Sequence, residues 1–207
     1  MTKPYYEDSL VRIYHMSCEE WSEELVGLVL TDPPYGLDDK WAGGGGGRKS
    51  SWAFKPDEAR SWDQLSEASL ITRWARFPAV IWGGNNYPLP PSRCWFLWDK
   101  KQADTFTTGQ AEMAWTNLDR TVRIFRMSQV EAYGNMDKKH PTQKPLSLIT
   151  WCIEQSRTEG TILDPFMGSG TTLVAAKSLN RHAIGIEVEE KYCEIAALRC
   201  QQEVMGL

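Results

Sequence analysis

An aspartate, two consecutive prolines and a tyrosine follow a short apolar run near the start of the 207-residue chain. The run Val26–Thr31 predicts a buried strand. Directly after it come Asp32, Pro33, Pro34 and Tyr35. Proline fixes φ and lacks an N–H, so the strand must end and the backbone must turn here. The turn would present a carboxylate, a proline carbonyl and an aromatic ring, a set that can accept the hydrogens of an –NH2 group and stack on a planar base. The same residues could also form a turn and nothing more.

A second candidate site lies where a predicted strand, Thr161–Asp164, meets a predicted helix, Thr171–Leu179. The turn between them contains Gly168 and Gly170, which allow the backbone to approach a ligand closely. In doubly wound sheets, ligands sit at the carboxyl ends of parallel strands, against a helix N-terminus. Glu187 ends the next predicted strand about twenty residues later, where a carboxylate accepts hydrogen bonds from a ribose diol. These features predict a site for a nucleoside-type cofactor.

Two other nucleotide-binding patterns do not fit this turn. A P-loop needs a lysine after its second glycine, and none is present. The dinucleotide pattern Gly-x-Gly-x-x-Gly needs a third glycine, where this chain has Leu173. A plain strand-to-helix turn without a ligand stays open as an alternative.

Taken together, the two turns predict methyl transfer onto an amine. An amine conjugated to a base ring is a poor nucleophile, because its lone pair is delocalised into the ring. Two acceptors that hold its hydrogens draw the nitrogen toward tetrahedral geometry, and they stabilise the positive charge that develops as it attacks a sulfonium methyl group. Proximity supplies much of the remaining rate, because nitrogen, methyl carbon and sulfur must lie in line.

The two motifs, in this order, resemble those of the amino-methylating DNA methyltransferases (adenine N6 and cytosine N4) of the permuted beta arrangement. The resemblance covers nearly the whole chain and includes Ile81–Tyr87, beside the target pocket, and His140–Pro145, before the cofactor strand. It implies S-adenosylmethionine as the cofactor, DNA as the partner and a base flipped out of the duplex. It also implies a single α/β domain, 1–207, with a Rossmann-like methyltransferase fold and circularly permuted motif order.

Residue roles follow from the same resemblance. Asp32 with the Pro33–Pro34 region would hold the target amine, and Tyr35 would stack on the flipped base. Cytosine-N4 members more often carry serine in place of Asp32, so the motif favours adenine N6. The residues implied for the cofactor are Asp164, Phe166, Gly168, Ser169, Gly170 and Thr171 in the turn, Glu187 at the ribose, Thr142 and Lys144 near the methionine moiety, and Ser17.

The chain departs from the family pattern in two ways. Met16 and Ser17 stand where the family usually has Gly-Asp, whose aspartate contacts the adenine of the cofactor. The chain is also short, and only Leu37–Ser61 and 127–139 are left over for target recognition. A small target-recognition region makes few contacts with base edges, which predicts a short or degenerate target sequence. The glycine run Gly43–Gly47 is either a surface linker or a flap that orders with substrate.

A net charge of −4 argues against a nucleic-acid binder on average, but the charges are unevenly distributed. Basic residues concentrate between Arg93 and Lys144, and acidic residues cluster from Glu187 to Glu194. This distribution is typical of a protein with one phosphate-facing surface, although a solvated mixed surface gives the same count. The predicted DNA-contacting residues are Arg48, Lys49, Asn86, Lys100, Lys101, Arg123, Lys138 and Lys139. A homodimer would supply contact area that this small chain lacks.

Short apolar runs alternate with longer amphipathic ones, which is typical of an α/β domain with a mostly parallel sheet. The predicted strands are Leu10–Tyr14, Val26–Thr31, Ala79–Trp82, Cys94–Trp98, Ala111–Thr116, Val122–Phe125, Thr161–Asp164 and His182–Glu187. The predicted helices are Cys18–Leu25, Gln64–Arg76, Pro145–Arg157, Thr171–Leu179 and Glu189–Glu203. We expect Ala111–Thr116 and Val122–Phe125 to form an antiparallel hairpin at the sheet edge.

The remaining features concern location and alternatives. Five scattered cysteines predict reduced, partly buried thiols, and three histidines offer no metal-ligand spacing. No signal peptide and no apolar run of about 18 residues is evident, so a cytoplasmic location is expected. Three other functions stay open: a cytosine-N4 DNA methyltransferase, an RNA or protein amino-methyltransferase, and a nucleic-acid-binding relative without turnover.

Overall fold

The computed structural model of the chain describes residues 3–22, 26–34, 68–103, 109–133 and 143–202. Within these ranges nine strands form one sheet, in the spatial order β1-β2-β9-β8-β3-β4-β6-β5-β7. The strands are β1 (Tyr6–Glu7), β2 (Val11–His15), β3 (Leu28–Thr31), β4 (Ala79–Trp82), β5 (Cys94–Asp99), β6 (Ala111–Thr116), β7 (Arg123–Arg126), β8 (Ile162–Asp164) and β9 (Ala183–Glu187). The helices are α1 (Ala68–Trp74), α2 (Gln129–Tyr133), α3 (Leu146–Ser156), α4 (Thr171–Ser178) and α5 (Glu190–Gln201).

Helices cover both faces of the parallel centre of the sheet. Every residue of β3 and β4 is buried, which is why their sequences are continuous apolar runs without alternation. Leu148, Leu173 and Ala196, from α3, α4 and α5, belong to the core on one face. Ile71 and Trp74 of α1 belong to the core on the other face. The predicted α/β fold with a mostly parallel sheet is confirmed.

Strands β8 and β3 lie side by side, and the chain leaves them in opposite directions. Helix α4 leads from β8 to β9 on one side, whereas α1 precedes β4 on the other side of β3. Their pairing is parallel, with Leu28 opposite Ile162. In such a sheet a crevice opens beyond the carboxyl ends of the two strands where the order reverses. Both predicted motifs begin at this point, since Thr31 ends β3 and Asp164 ends β8.

The predicted hairpin of β6 with β7 is wrong. Strand β6 pairs antiparallel with β4 and with β5, and β7 pairs parallel with β5 at the sheet edge. The Asn117 side chain bonds the backbone of Ala75, Phe77 and Ala79, which holds the end of β6 against the start of β4. The chain then crosses the start of β5, where the Cys94 thiol meets the Thr121 carbonyl at 3.5 Å. On this side of the sheet, the consecutive strands that pair antiparallel are therefore β5 and β6.

The predicted helix Cys18–Leu25 is also wrong over its described residues, 18–22, which form a turn and a bend. The Arg73 guanidinium donates to the carbonyls of Glu19 and Trp21, and a helix would need those acceptors for its own N–H groups. The other predicted elements are confirmed within about two residues where the structure describes them. Residues 64–67, at the start of the predicted helix Gln64–Arg76, lie outside the described residues. The short elements β1 and α2 had no sequence prediction.

All five cysteines are buried, and none forms a disulfide, as predicted. No described helix is long and apolar enough to cross a membrane.

Candidate active site

The two predicted loops meet through a buried hydrogen bond. Thr31 Oγ1 donates to Asp164 Oδ1 at 2.9 Å, and both residues are almost inaccessible to solvent. The same carboxylate oxygen accepts the N–H of Phe166 at 3.2 Å. Asp164 therefore fixes the end of β3 on one side and the start of the glycine turn on the other. Asp32 leaves β3 one residue after Thr31, so the residues 32–34 (the predicted target loop) and the residues 165–170 (the predicted cofactor turn) are held together.

Burial has a measurable consequence for Asp164. It raises the pKa of this carboxyl group to about 6, although hydrogen bonds from Thr172 and Thr31 oppose the rise. The hydrogen-bond partners of its carboxylate, Thr31, Phe166 and Thr172, are all groups of the protein itself. The side chain thus organises the two loops from the inside.

The glycine turn and the end of β9 form one unit. Gly168 and Gly170 have positive φ, 49° and 77°, where a side chain would be strained. The Gly168 N–H donates to Glu187 Oε2 at 2.9 Å, and the Glu189 N–H donates to Glu187 Oε1 at 2.9 Å. Burial raises the pKa of Glu187, while these N–H groups favour its ionised form. The Val188 N–H also bonds this carboxylate, and because a carboxylate can accept about four hydrogen bonds, the unit still has room to accept from a ribose hydroxyl.

Ser169 and Thr171 contact a residue that the sequence prediction missed. Arg199 of α5 donates through one Nη1 atom to the Ser169 carbonyl at 2.6 Å, to Ser169 Oγ at 3.0 Å and to Thr171 Oγ1 at 3.2 Å. The α5 helix also packs closely behind the turn, because a Cβ at Gly170 would lie 2.7 Å from the Ala196 methyl carbon. Both hydroxyls predicted for the cofactor are therefore engaged by Arg199.

Other predicted cofactor residues have mixed outcomes. Ser17 follows β2 beside the end of β9, where the Met16 N–H donates to the Glu187 carbonyl at 3.0 Å. Phe166 is half-buried at the start of the glycine turn. Thr142 lies outside the described residues, as does the stacking residue Tyr35.

Lys144 contacts Asp32 directly. Its ammonium forms an ion pair with Asp32 Oδ2 and a second one with Glu112 Oε2 at 3.2 Å, and only 8% of its side chain is exposed. Glu112 Oε1 in turn pairs with Lys100 at 2.8 Å. The Lys144 ammonium also lies 5.6 Å from the centre of the Trp82 ring. We name the four charged residues Asp32, Lys144, Glu112 and Lys100 the charge network.

Alternating charge keeps Lys144 and Glu112 ionised. Burial alone would lower the pKa of Lys144, but the carboxylates of Asp32 and Glu112 raise it above its ordinary value. Burial would likewise raise the pKa of Glu112, but the two ammonium groups lower it to about 2. Every charge that leaves water here has an opposite charge in contact, which is the condition under which burial of ions is tolerated.

The two proline carbonyls differ in their surroundings. The Tyr87 hydroxyl donates to the Pro34 carbonyl, which is thereby engaged. Among the described residues no hydrogen-bond donor reaches the Pro33 carbonyl. Tyr87 follows the short 3-10 turn Gly84–Asn86, within the segment Ile81–Tyr87 that the sequence places beside the target pocket.

The predicted DNA-contacting residues are not all at the same edge. Asn86 and Lys101 are exposed beyond the ends of β4 and β5, and the Lys101 ammonium pairs with Glu131 at 3.1 Å. Lys100 is 7% exposed and belongs to the charge network, which leaves it poorly placed to contact a phosphate. Arg123 lies back from the edge, opposite Phe96, whereas Arg126 lies opposite Asp99. The remaining predicted residues, Arg48, Lys49, Lys138 and Lys139, lie outside the described residues.

Some site residues had little sequence signal. Glu112 reaches this edge only because β6 runs antiparallel, and Arg199 lies in an acidic tail, so neither position stood out. Tyr87 was part of a recognised segment, and its hydroxyl contact could have been predicted from that segment. No cluster of His, Cys, Asp or Glu able to hold a metal ion occurs among the described residues.

The chain matches the family model described as DNA methylase over residues 90–198, more than half of its length. It is 28% identical to the Type II methyltransferase M2.DpnII of Streptococcus pneumoniae, with 98% of this chain and 94% of that protein covered. It is also 28% identical to the Type II methyltransferase M2.MboI of Moraxella bovis, with coverage of 95% and 90%.

Two solved structures share the fold. The M1.HpyAVI–SAM complex has a TM-score of 0.59 and 22% identity, covering 92% of this chain and all of that one. The cytosine-N4-specific PvuII DNA methyltransferase has a TM-score of 0.59 and 18% identity, covering 99% and 91%. The fold is thus the Rossmann-like methyltransferase fold. The chain belongs to the DNA methylase family of N6 and N4 amino-methyltransferases.

The pKa of Asp164 predicts a pH-dependent stability difference. Between about pH 4 and 6 the unfolded chain ionises this residue while the folded protein keeps it protonated, so folding is increasingly disfavoured as pH rises. Asp164→Asn does not titrate. The free energy of unfolding of the wild type minus that of the variant should fall by about 2 kcal/mol from pH 4 to pH 7, for a pKa that rises from 3.8 to about 6. Urea titrations across this range measure the difference, and a pH-independent difference would contradict it.

Arg199 should control cofactor affinity more than turnover. Arg199→Met leaves the Ser169 carbonyl and two hydroxyls without their donor. The ordered conformation of the turn should thereby be destabilised by about 1–3 kcal/mol. We expect the Kd for S-adenosylmethionine to rise about tenfold, with kcat at saturating cofactor within about twofold of the wild type. Calorimetry and steady-state kinetics measure the two quantities. Lys191→Met on the same helix is the matched control, and an unchanged Kd in both variants would exclude the role of Arg199.

Proposed function

We propose that this chain methylates N6 of adenine in DNA, with the base flipped out of the duplex and its amine held at Asp32. The observation that carries the proposal is the Thr31–Asp164 hydrogen bond, because it sets the target loop beside the cofactor turn. Adenine is favoured because the loop has Asp32, where cytosine-N4 members more often have serine. Cytosine N4 is the second candidate, since the PvuII enzyme with the same fold is cytosine-N4-specific.

Two acceptors would hold the amine. The Asp32 carboxylate would accept one N–H, and the Pro33 carbonyl would accept the other, because the Pro34 carbonyl is engaged by Tyr87. This refines the sequence-based role of the Pro33–Pro34 region. Both acceptors stabilise the positive charge that develops on the nitrogen during attack. Tyr35 would stack on the flipped base and limit its rotation.

The cofactor site fits the same scheme. When bound, S-adenosylmethionine supplies an electrophilic methyl group. Glu187 would accept the ribose hydroxyls, and the backbone at Gly168 and Gly170 would allow close approach. Ser17, in place of the usual aspartate, offers one neutral hydroxyl to the adenine, so we expect a weaker contact there. Lys144 contacts Asp32, and we assign it to the target side of the site.

Target recognition should be loose. The alignment with M2.DpnII spans 253 positions, more than the 207 residues of this chain, so the relative carries insertions that this chain lacks. Fewer residues for base-edge contacts favour a short or degenerate target sequence. The exposed residues Asn86, Lys101 and Arg126 would lie near the DNA backbone. A cytoplasmic location and a homodimer stay predictions.

The modified base can be identified directly. The purified chain is incubated with unmethylated DNA, or with RNA, and S-adenosylmethionine that carries a deuterated methyl group. Nucleoside mass spectrometry should find deuterated N6-methyldeoxyadenosine in the DNA arm. Deuterated N4-methyldeoxycytidine would instead establish the second candidate. Label confined to RNA, or absent from both nucleic acids, would overturn the assignment to DNA.

Asp32 is the residue on which turnover should depend most. Asp32→Ala removes one of the two acceptors, and we expect kcat to fall by at least about 100-fold, the usual effect of losing one group that stabilises charge in the transition state. Asp32→Asn keeps one carbonyl acceptor and should retain part of the activity. The Kd for S-adenosylmethionine should change by less than about threefold. Asp119→Ala, at an exposed carboxylate remote from the site, is the control. Substantial turnover by Asp32→Ala would contradict the mechanism.

A further inference from the structure

Glu112 is a carboxylate that the proposed chemistry does not use, yet it lies one lysine away from Asp32. Strand β6 runs antiparallel to β4, with Ala114 opposite Trp82, so the first residues of β6 reach the edge where β3 and β4 end. Glu112 therefore faces the target loop from the side opposite the cofactor turn. Its two oxygens contact different lysines, Lys144 at 3.2 Å and Lys100 at 2.8 Å.

Two contacts on Lys144 define the position of its ammonium. One carboxylate alone would attract the group but would let it move around the oxygen atoms. Asp32 and Glu112 hold it from two sides, and the Trp82 ring lies 5.6 Å away. A fixed ammonium favours the ionised form of Asp32 and limits the rotation of its carboxylate. The contact with Glu112 also draws the Lys144 ammonium partly away from Asp32. The target amine therefore competes for the Asp32 carboxylate with a cation that Glu112 shares.

We propose that Glu112 is a positioning residue for methyl transfer, which fixes the Lys144 ammonium and thereby keeps the Asp32 carboxylate ionised and turned toward the target amine. This inference rests on the proposed function of Asp32. It differs from a purely structural role, in which Glu112 serves only to neutralise the buried Lys100.

A charge-balanced double variant separates the two roles. Glu112→Gln alone would leave Lys100 without its anion and could destabilise the protein. The double variant Lys100→Met/Glu112→Gln removes one cation and one anion together. Methionine keeps an apolar stem beside Trp98, whose ring lies 5.4 Å from the Lys100 ammonium in the wild type. The pair of Asp32 with Lys144 stays neutral, and compared with Lys100→Met the double variant differs only in that the second contact on Lys144 loses its negative charge.

The double variant should keep a melting temperature close to that of the wild type while its kcat falls about tenfold below that of Lys100→Met, which retains Glu112. KM for S-adenosylmethionine should not change. Because the fields of the two removed charges largely cancel relative to the wild type, a freer Lys144 should move the acid limb of kcat to higher pH than in the wild type. Glu112→Asp keeps the charge but shortens the side chain, and it should also lower kcat, which tests position without any change in net charge.

Two results would overturn the inference. The first is a double variant whose kcat matches that of Lys100→Met and whose pH profile matches that of the wild type. The second is a Glu112→Asp variant with wild-type kcat. Glu154→Gln, the same chemical change at an exposed position of α3, controls for the loss of a carboxylate. A wild-type protein that transfers no methyl group to DNA would count against the proposed function, and the two failures are therefore distinguishable.

Discussion

A buried hydrogen bond between a threonine and an aspartate joins the ends of two central strands whose residues are 133 positions apart in sequence. Strands β3 and β8 each carry one half of the site, and nothing local to either half sets the distance between them. The parallel pairing of the two strands and the Thr31–Asp164 bond at their ends do so together, where the strand order reverses. Methyl transfer depends on in-line geometry, and errors of about 1 Å are costly. The bond thereby holds the proposed acceptors at Asp32 beside the turn at Gly168.

The two halves of the site use different physical means. The proposed cofactor half consists of backbone N–H groups that converge on Glu187, with Arg199 bonded to the turn from α5. The proposed target half consists of side-chain charges, with Lys144 between two carboxylates. Backbone geometry suits a cofactor that is the same in every turnover. A network of paired side-chain charges can adjust when a base enters and leaves, which suits the proposed target loop.

Features of the site that depend on residues close together in sequence could be predicted, whereas features that depend on contacts distant in sequence could not. Both motifs and most strands could be predicted, because apolar runs, glycines and prolines act locally. The pairing of β7 with β5 could not be predicted. The path of the chain after β6 depends on contacts with residues distant in sequence, such as those of the Asn117 side chain. The prediction of a helix from Cys18 was wrong for a similar reason, because the distant Arg73 side chain donates to the carbonyls of Glu19 and Trp21. The ion pair of Glu112 with Lys100 could not be predicted from the sequence, since it is the pairing of β5 with β6 that brings the two residues together.

The order of the motifs has a consequence for the synthesis of this protein. Strand β3 emerges from the ribosome early, but its neighbour β8 follows more than a hundred residues later, with Leu28 opposite Ile162. Until then one edge of a mainly apolar strand lacks its partner β8, and pairing must close a very long loop. The nascent chain therefore passes through a stage in which this apolar strand edge is exposed. Folding yield should depend on how quickly that second half is made.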